Sequence, residues 1–305
     1  MDKEQIIKEV LFRCQQHGKT YIVGGYIRNK LLGYEFNDVD LLTSCSLEKL
    51  KEIFPKVNWT DQGLTLGICR MQYKGIQFDF SSCTESEFED KLKDRDFTIN
   101  SFYFDGHTLI AQSTASKDLY LRILRPMRNI WETLNFSPHS MVRAFRFISC
   151  YNLNWSEDLL NDLKESSSYF EKISEGRLQK EAYEILKGKH IIKALYYYES
   201  IGLISPNPNL KKMKDLIIPT YNQNISARLI YLSYLLGKGT IIEFIQLHHL
   251  SNKLIEEIQE YLPYLKTDKL MIHPRKLPFL ILLKRYQFQD DKTKIKEFLG
   301  KHKQK

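Results

Sequence analysis

The chain has 305 residues, 43% of them hydrophobic and 27% charged, with a formal net charge of +8. That balance is ordinary for a globular protein, and the length predicts two or three packed modules. No run of 18 apolar residues occurs, so we expect no membrane span. Scattered cysteines without a Cys-x-x-Cys pair favour free thiols in a reducing cytoplasm over a zinc site or a disulfide framework.

The first predicted element is an amphipathic helix within residues 1–20, where charged and apolar residues recur at helical spacing, unlike a signal peptide. A strand-like run, Tyr21–Val23, follows and ends in two glycines. A short helical segment, 27–32, then closes on Gly33, and a second strand-like run, 37–42, comes after it. The order strand, turn, helix, strand is the first organised unit of the chain.

The two glycines of that turn, Gly24 and Gly25, are candidates for binding a phosphate. A backbone without Cβ can approach an anion closely and adopt a positive φ, and the following helix points its unpaired N–H groups at the same place. Arg28, in the first turn of the helix, would add a forked cation. A lone glycine pair is usually only a turn, so this pattern gains weight only from its neighbours.

The second strand carries Asp38 and Asp40, which we interpret as candidate metal ligands. Side chains at i and i+2 of a strand lie on one face, about 6.6 Å apart along the chain. Two carboxylates at that spacing can share divalent metal ions of the kind that assist phosphoryl transfer. Asp-Val-Asp alone is more often a solvated strand face. Together with the glycine turn just upstream, however, it indicates a site for a metal and a triphosphate.

Further along, Ser46–Phe54 has helical spacing with Ser46 as N-cap. Two strand-like runs, 67–73 and 76–80, are separated by Lys74-Gly75, which predicts a hairpin that extends the sheet. Residues 102–109 look like another strand. From about Asn135 onward the apolar spacing becomes helical and stays so, which predicts an α+β chain with a mixed-sheet head and an all-α remainder.

The glycine turn followed by Asp38 and Asp40 resembles the nucleotidyltransferase superfamily that includes DNA polymerase beta. More narrowly, the chain resembles the branch of bacterial tRNA nucleotidyltransferases (CCA-adding enzymes) and bacterial poly(A) polymerases. Two stretches carry this narrower resemblance: Asp94–Asn100 is similar to the branch's Arg-Arg-Asp-Phe-Thr-Ile-Asn, and Val142–Phe147 is similar to its Leu-Arg-Ala-x-Arg-Phe. The similarity fades toward residue 262.

The resemblance implies a division into a head, 1–134, a neck, 135–190, and a body with a short basic tail, 191–305. It implies two Mg²⁺ ions on Asp38 and Asp40. It also implies a third carboxylate that takes the proton of the attacking 3′-hydroxyl, and side chains that meet the nucleotide. In this sequence the third carboxylate is Asp79, and the nucleotide-binding set comprises Gly24, Gly25, Arg28, Arg95, Asp96, Asn100, Arg143 and Arg146.

Two departures from the family pattern affect the expected chemistry. Asp94 replaces the first arginine of the pair, so one phosphate contact is missing. The base-reading Asp and Arg of the family correspond here to Ser137 and Ser140. We predict that Ser137 caps a helix with Pro138 at its first position. We also predict that choice among nucleotides is weaker or different, with His139, Arg143 or Arg146 as substitute reader.

The positive charge lies at the end of the chain. Residues 261–305 hold twelve basic and four acidic residues, a balance of 12 − 4 = +8, so the rest is neutral overall; the basic residues are Lys266, Lys269, Arg275, Lys276, Lys284, Arg285, Lys292, Lys294, Lys296, Lys301, Lys303 and Lys305. Such a tail favours a polyanionic partner such as RNA, although a solvated lysine-rich end remains an alternative.

We therefore expect an RNA nucleotidyltransferase that uses no template and adds C or A from CTP and ATP to an RNA 3′ end, most simply that of tRNA. One alternative is a poly(A) polymerase or a transferase restricted to one nucleotide. Another is an RNA-binding protein that kept the fold and lost the activity. The retained carboxylates and Arg28 argue against the last of these.

Overall fold

The computed structural model describes residues 2–61, 68–112, 114–219, 224–266, 277–289 and 291–302. The chain divides into two compact units, Met1–Asn129, here called the head, and Ile130–Lys305, here called the helical unit. The further division of the second unit into a neck and a body at residue 190 stays a prediction. No helix in the described ranges is long and apolar enough to cross a membrane.

The head combines short helices with eight strands among its described residues. Its elements are α1 Lys3–Gln15, β1 Thr20–Val23, α2 Gly25–Leu32, β2 Asp38–Thr43, α3 Leu47–Ile53, β3 Trp59–Asp61, β4 Ile68–Tyr73, β5 Ile76–Ser82, α4 Phe88–Lys93, a 3-10 turn Thr98–Asn100, β6 Phe102–Phe104, β7 Leu109–Ala111, α5 Ala115–Tyr120 and β8 Ile123–Leu124.

Seven of these strands form one sheet in the order β3-β4-β5-β2-β1-β6-β7. Strands β2 and β5 run parallel, and every other neighbouring pair is antiparallel. The predicted mixed sheet at the start of an α+β chain is therefore confirmed. Its central strands bring residues from three separate stretches of sequence side by side, because neighbouring strands lie only about 4.8 Å apart.

The two faces of the sheet have different roles. Alternate residues such as Val39, Leu41 and Phe78 are buried on one face of the sheet, as expected for period-2 alternation. On the opposite face, Phe88 and Leu92 of α4 cover only part of the surface, in a cluster with Val23, Leu42, Tyr21, Cys83 and Tyr103. Asp38, Asp40 and Asp79 lie on this second face, on the same side of the sheet as α4.

Local sequence signals in the head predicted several element ends correctly. Gly33 ends α2 in the left-handed conformation at φ 73°. The Ser46 hydroxyl accepts a hydrogen bond from the Lys49 N–H and caps α3. Lys74 and Gly75, at φ 48° and 83°, form the tight turn between β4 and β5.

The prediction of one strand over residues 102–109 was wrong, because that stretch is a hairpin of β6 and β7. Asp105 turns the chain, since its Oδ1 accepts from the His107 and Thr108 N–H groups at 2.8 and 2.6 Å. Gly106 then adopts φ 104°. The Asp-Gly pair is a turn signal that the strand interpretation overlooked.

The helical unit is built from eleven helices among its described residues, with one short strand and a 3-10 segment. These elements are α6 Ile130–Phe136, α7 Ser140–Tyr151, β9 Asn154–Trp155, α8 Glu157–Glu165, the 3-10 segment Ser167–Lys172, α9 Glu175–Lys187, α10 Ile191–Ser200, α11 Pro208–Met213, α12 Ile225–Leu236, α13 Lys238–Leu247, α14 Lys253–Lys266, α15 Leu277–Gln287 and α16 Lys292–His302.

An aromatic cluster lies in the core of this unit. Tyr198 is fully buried and stacks on Phe145 with ring centroids 3.6 Å apart. Its hydroxyl lies 2.8 Å from Nε2 of His248, whose Nδ1 lies 3.0 Å from the Phe244 carbonyl. A carbonyl only accepts, so Nδ1 donates and Nε2 accepts from the tyrosine. Burial lowers the pKa of His248 to about 4, so the ring is neutral and structural.

The predicted start of α7 was wrong. The helix begins at Ser140 rather than after Ser137, because α6 continues to Phe136 and residues 137–139 form the turn between the two helices. The Ser137 hydroxyl contacts the His139 ring at 2.8 Å instead of capping a helix N–H.

The basic tail is only partly a solvated end. In α15, Leu280, Leu283 and Tyr286 are buried, and Lys284 is also buried, with its amine 2.7 Å from Gln287 Oε1. In α16, Lys294 is exposed and lies 3.7 Å from Asp291. The basic residues within 267–276 and 303–305 lie outside the described residues.

Candidate active site

The parallel pairing of β2 and β5 sets three carboxylates on one face of the sheet. Asp40 is opposite Asp79 in the register, and Asp38 is opposite Gln77. Residues i and i+2 share a face, so Asp38, Asp40 and Asp79 form a group that we call the carboxylate cluster. The sequence predicted the first two from their spacing and the third from the resemblance, and the fold brings them together.

Negative charges repel one another within the carboxylate cluster. Burial and the neighbouring charges of Asp38 and Asp79 raise the pKa of Asp40 to about 6. The guanidinium groups of Arg95 and Arg28 act in the opposite direction on the same carboxyl group. Two predicted arginines are therefore close enough to influence Asp40, and the cluster would be stabilised by added positive charge.

The glycine turn lies against the cluster. Gly24 directly precedes α2 and has a φ of 71°. Residues with an L side chain rarely adopt this conformation. A Cβ placed on Gly24 would lie 3.5 Å from Asp40 Oδ2, which is ordinary contact. The backbone conformation, rather than lack of space, therefore requires glycine here.

Three predicted nucleotide-binding residues form one hydrogen-bonded chain. Arg28 is buried and donates to the Asn100 amide oxygen, and the Asn100 amide nitrogen donates to Asp96 Oδ1 at 2.8 Å. Arg28 also donates to the Asn29 side chain at 2.9 Å. This chain fixes the guanidinium at the start of α2, where an anionic ligand of the glycine turn would lie.

A buried aspartate that sequence reasoning left without a role anchors the segment carrying Asn100. Asp118 Oδ2 accepts from the hydroxyls of Thr98 and Thr114 at 2.8 and 2.6 Å, and Arg125 lies 3.2 Å away. The backbone adds to the anchor, because the Thr98 N–H donates to the Arg125 carbonyl. The Asp-Leu and Leu-Arg pairs at 118–119 and 124–125 were the available sequence signal.

Asp94, which replaces the family's arginine, has an ion-pair partner within the head. Asp94 forms an ion pair with Arg128 at 3.6 Å, and both side chains are about half exposed. Its neighbour Arg95 remains near Asp40. The substitution thus removes one cation from the motif without removing the second.

Arg70 is the residue of the site that sequence reasoning missed. It lies opposite Asp79 on β4, and its Nε and a terminal nitrogen donate to the two Asp79 oxygens at 2.6 and 2.7 Å. A simple count would have found it. In a hairpin with a two-residue turn at Lys74-Gly75, Tyr73 pairs with Ile76. Each step back along β4 then matches one step forward along β5, so Arg70 pairs with Asp79.

Two predicted nucleotide-binding arginines lie in the helical unit, on α7. Arg146 forms an ion pair with Glu181 at 2.9 Å, and the guanidinium groups of Arg143 and Arg146 both lie over the Phe147 ring. Arg146 thus has a structural partner within its own unit. A nucleotide-binding role for either arginine stays a prediction.

The positions of the family's base-reading pair hold small hydroxyls in this chain. Ser140 is buried and its hydroxyl lies 3.3 Å from that of Ser137, which contacts the His139 ring. Arg177 lies 2.7 Å from His139 Nδ1. An arginine only donates, so Nδ1 of His139 accepts, which makes the ring neutral with its proton on Nε2.

The chemistry of the cluster fits a divalent cation bound jointly with substrate. No group of three or more His, Cys, Asp or Glu in the described ranges is arranged to hold a metal, and Asp79 is occupied by Arg70. Asp38 and Asp40 remain as two oxygen ligands. Magnesium in phosphoryl-transfer sites commonly takes one or two carboxylates and completes its shell with phosphates and water.

Comparisons with known proteins agree with this geometry. Residues 20–125 match the Poly A polymerase head domain family. The CCA-adding enzyme of Geobacillus sp. (strain WCH70) is 27% identical over 282 residues, which cover 85% of this chain and 69% of the relative. That of Ligilactobacillus salivarius (strain UCC118) is 31% identical over 199 residues, 59% of this chain and 49% of the relative.

The fold is also shared with solved structures. The Bacillus stearothermophilus CCA-adding enzyme in complex with CTP aligns with a TM-score of 0.79 at 23% identity, over 99% of this chain and 82% of that one. A tRNA nucleotidyltransferase complexed with a primer tRNA and an incoming ATP analog aligns with a TM-score of 0.64 at 22% identity, over 97% of both chains. At these identities the structural likeness shows the common fold.

The first unit is therefore a nucleotidyltransferase head of the poly(A) polymerase type. The resemblance to bacterial tRNA nucleotidyltransferases and poly(A) polymerases that was drawn from the motifs is confirmed by these matches. Members of this family generally use a divalent metal.

Proposed function

We propose that this protein adds C and A, from CTP and ATP, to the 3′ end of tRNA without a nucleic-acid template. The observation that carries the proposal is the carboxylate cluster beside the Gly24 turn, with Arg28 held at the start of α2. The relatives named CCA-adding enzymes support tRNA as the acceptor. Free cysteines at all five positions support a cytoplasmic location.

The chain's own residues would act on the nucleotide in distinct ways. The Gly24 turn and the first N–H groups of α2 would contact the triphosphate, and Arg28, fixed by Asn100, would neutralise its charge. Arg95, which already influences Asp40, would contribute a second positive charge. These groups would orient the α-phosphorus toward the attacking hydroxyl, and positioning supplies most of the catalysis in such reactions.

Asp38 and Asp40 would hold Mg²⁺, which would polarise the phosphate oxygens and stabilise the charge that develops during transfer. Asp79 would accept the proton of the RNA 3′-hydroxyl. Each carboxylate oxygen has two lone pairs, so an oxygen that accepts from Arg70 retains capacity for a second hydrogen bond.

Single-nucleotide analysis of products tests the proposal. Purified protein would be incubated with tRNAs ending before, within and after CCA, and with each nucleoside triphosphate in turn. We expect extension of the first two with C or A and no extension of the third. Absence of any incorporation by the intact protein, with magnesium present, would contradict the proposal.

A second candidate is a poly(A) polymerase or a transferase restricted to one nucleotide. Ser137 and Ser140 favour it, because two short hydroxyls cannot reproduce the reach and paired geometry of an arginine fork. The same assay separates the two activities. Long tails of A on tRNAs and unrelated RNAs alike would support the second candidate.

A further inference from the structure

Arg70 joins the carboxylate cluster through a paired contact. Its two donors meet the two oxygens of Asp79 at 2.6 and 2.7 Å, the bidentate geometry that fixes a carboxylate in both position and plane. The side chains are 35% and 18% exposed, so neither is free in solvent. The position of Asp79 therefore depends on the neighbouring strand β4.

Arg70 also acts beyond Asp79. The hydrogen bond to Asp79 is the main cause of the raised pKa of Arg70, and the charges of Asp38 and Asp40 contribute to it. The interaction is mutual, so the guanidinium lowers the negative potential at both candidate metal ligands. With Arg70 included, the formal charge of the ionised cluster falls from −3 to −2.

We propose that Arg70 is a positioning residue that holds Asp79 for proton transfer and weakens the affinity of the free protein for divalent cations. This inference rests on the proposed function for the role of Asp79. The consequence is that tight metal binding requires the phosphates of the nucleotide. The metal then arrives with substrate rather than occupying the cluster alone.

Binding of Mn²⁺ without nucleotide, followed by electron paramagnetic resonance of the free ion, tests the electrostatic part. We expect R70Q to bind Mn²⁺ about tenfold more tightly than the unmodified protein, the order of magnitude expected when one nearby positive charge is removed in a water-like dielectric. R70K retains the charge and should bind Mn²⁺ as the unmodified protein does. D79N should bind it more weakly.

Turnover at saturating metal tests the positioning part. The kcat of R70Q should fall about tenfold or more, and R70K should recover it only in part, because an ammonium group cannot reproduce the fork. R13Q is the matched control, since Arg13 is also an ion-paired head arginine, with a 37% exposed side chain, but lies on α1. It should change neither measurement. A merely structural role would lower stability and kcat without tightening Mn²⁺.

Unchanged or weaker Mn²⁺ binding by R70Q would overturn the electrostatic part, whether or not the protein transfers nucleotides. Unchanged kcat would overturn the positioning part. If R70Q does not fold, R70M, which retains most of the aliphatic stem, replaces it. If the unmodified protein shows no transfer, the proposed function fails, while the comparison of Mn²⁺ affinities still decides the effect of Arg70 on the cluster.

Discussion

In the head, the carboxylates of two neighbouring strands and the guanidinium of Arg28 lie around one glycine turn, all at predicted positions. At the start of α7, by contrast, the family's base-reading Asp and Arg correspond to Ser137 and Ser140, whose hydroxyls contact each other, and Ser137 also contacts His139. The first region requires particular residue types on rigid strands. The second can change its side chains while the helix remains, so nucleotide choice can diverge where phosphate chemistry does not.

The largest expected effect is the loss of activity when one carboxylate of the cluster in the head is removed. D40N should lower kcat by about a thousandfold or more, because it removes a candidate metal ligand. The fold should survive, since the change also removes a carboxylate whose pKa is raised to about 6 by burial and like charges. Single-turnover incorporation and thermal unfolding measure the two effects.

Asp90 provides the matched control for that experiment. It is an exposed aspartate on α4, so D90N should leave both incorporation and thermal unfolding unchanged. Near-normal turnover by D40N would remove Asp40 from the site.

The next effect concerns the start of α7. S137D combined with S140R should shift incorporation toward C and A over U and G by about tenfold or more, the discrimination expected of a paired hydrogen-bonding contact. Competition between all four nucleotides, with products sequenced, measures it. Ser140 is 2% exposed, so S140R must be checked for thermal stability.

R177A is the companion variant for this experiment. If Arg177 and His139 have become the readers, R177A will alter nucleotide choice in the otherwise unmodified protein. Strict choice of CTP and ATP by the unmodified protein, unaffected by R177A, would contradict this view of the region.

A smaller effect is expected from the basic tail. Removing Lys292–Lys305 should raise the KM for RNA several-fold, leave the KM for nucleotide unchanged and flatten the dependence of RNA binding on salt. Filter binding at several salt concentrations provides the measurement. Unchanged affinity and salt dependence would mean that these lysines are only solvated.

The smallest expected effect is a pH dependence of the stability of the helical unit, which His248 causes. His248 in its unfolded state takes up a proton below pH 6.5, whereas the buried ring resists it until about pH 4. Stability of the helical unit should therefore fall by about 3 kcal/mol as the pH drops through this window. H248Q should lose this slope. Denaturant unfolding followed by the fluorescence of Trp155, which stacks on Tyr197, measures it.

Local rules predicted the parts of the fold that depend on a few consecutive residues. The Ser46 cap and the Lys74-Gly75 hairpin belong to this group, because each is decided within one turn of chain. The Ser137 cap failed because α6 runs up to it and the His139 ring competes for its hydroxyl. The candidate metal ligands Asp38 and Asp40 were likewise proposed from spacing within one strand, and their role as ligands stays a prediction.

Contacts between strands needed more than local rules. The pairing of Asp40 with Asp79 depends on a parallel register that spacing within either strand does not fix. The pairing of Arg70 with Asp79 follows from the length of the turn between β4 and β5. It also requires that paired residues of the two strands present their side chains on the same face of the sheet. The ion pair of Arg146 with Glu181 is likewise a long-range contact that the spacing within α7 does not show.

The anchor at Asp118 has a consequence for local opening of the head. Its carboxylate joins Thr98, Thr114 and Arg125, three points spread over 28 positions of the sequence. The amide hydrogens of Thr98 and Met127, bonded to the Arg125 and Asp96 carbonyls, should therefore exchange with solvent as one cooperative unit. Thus Asp118, which is buried away from solvent, controls how often the segment bearing Asn100 opens.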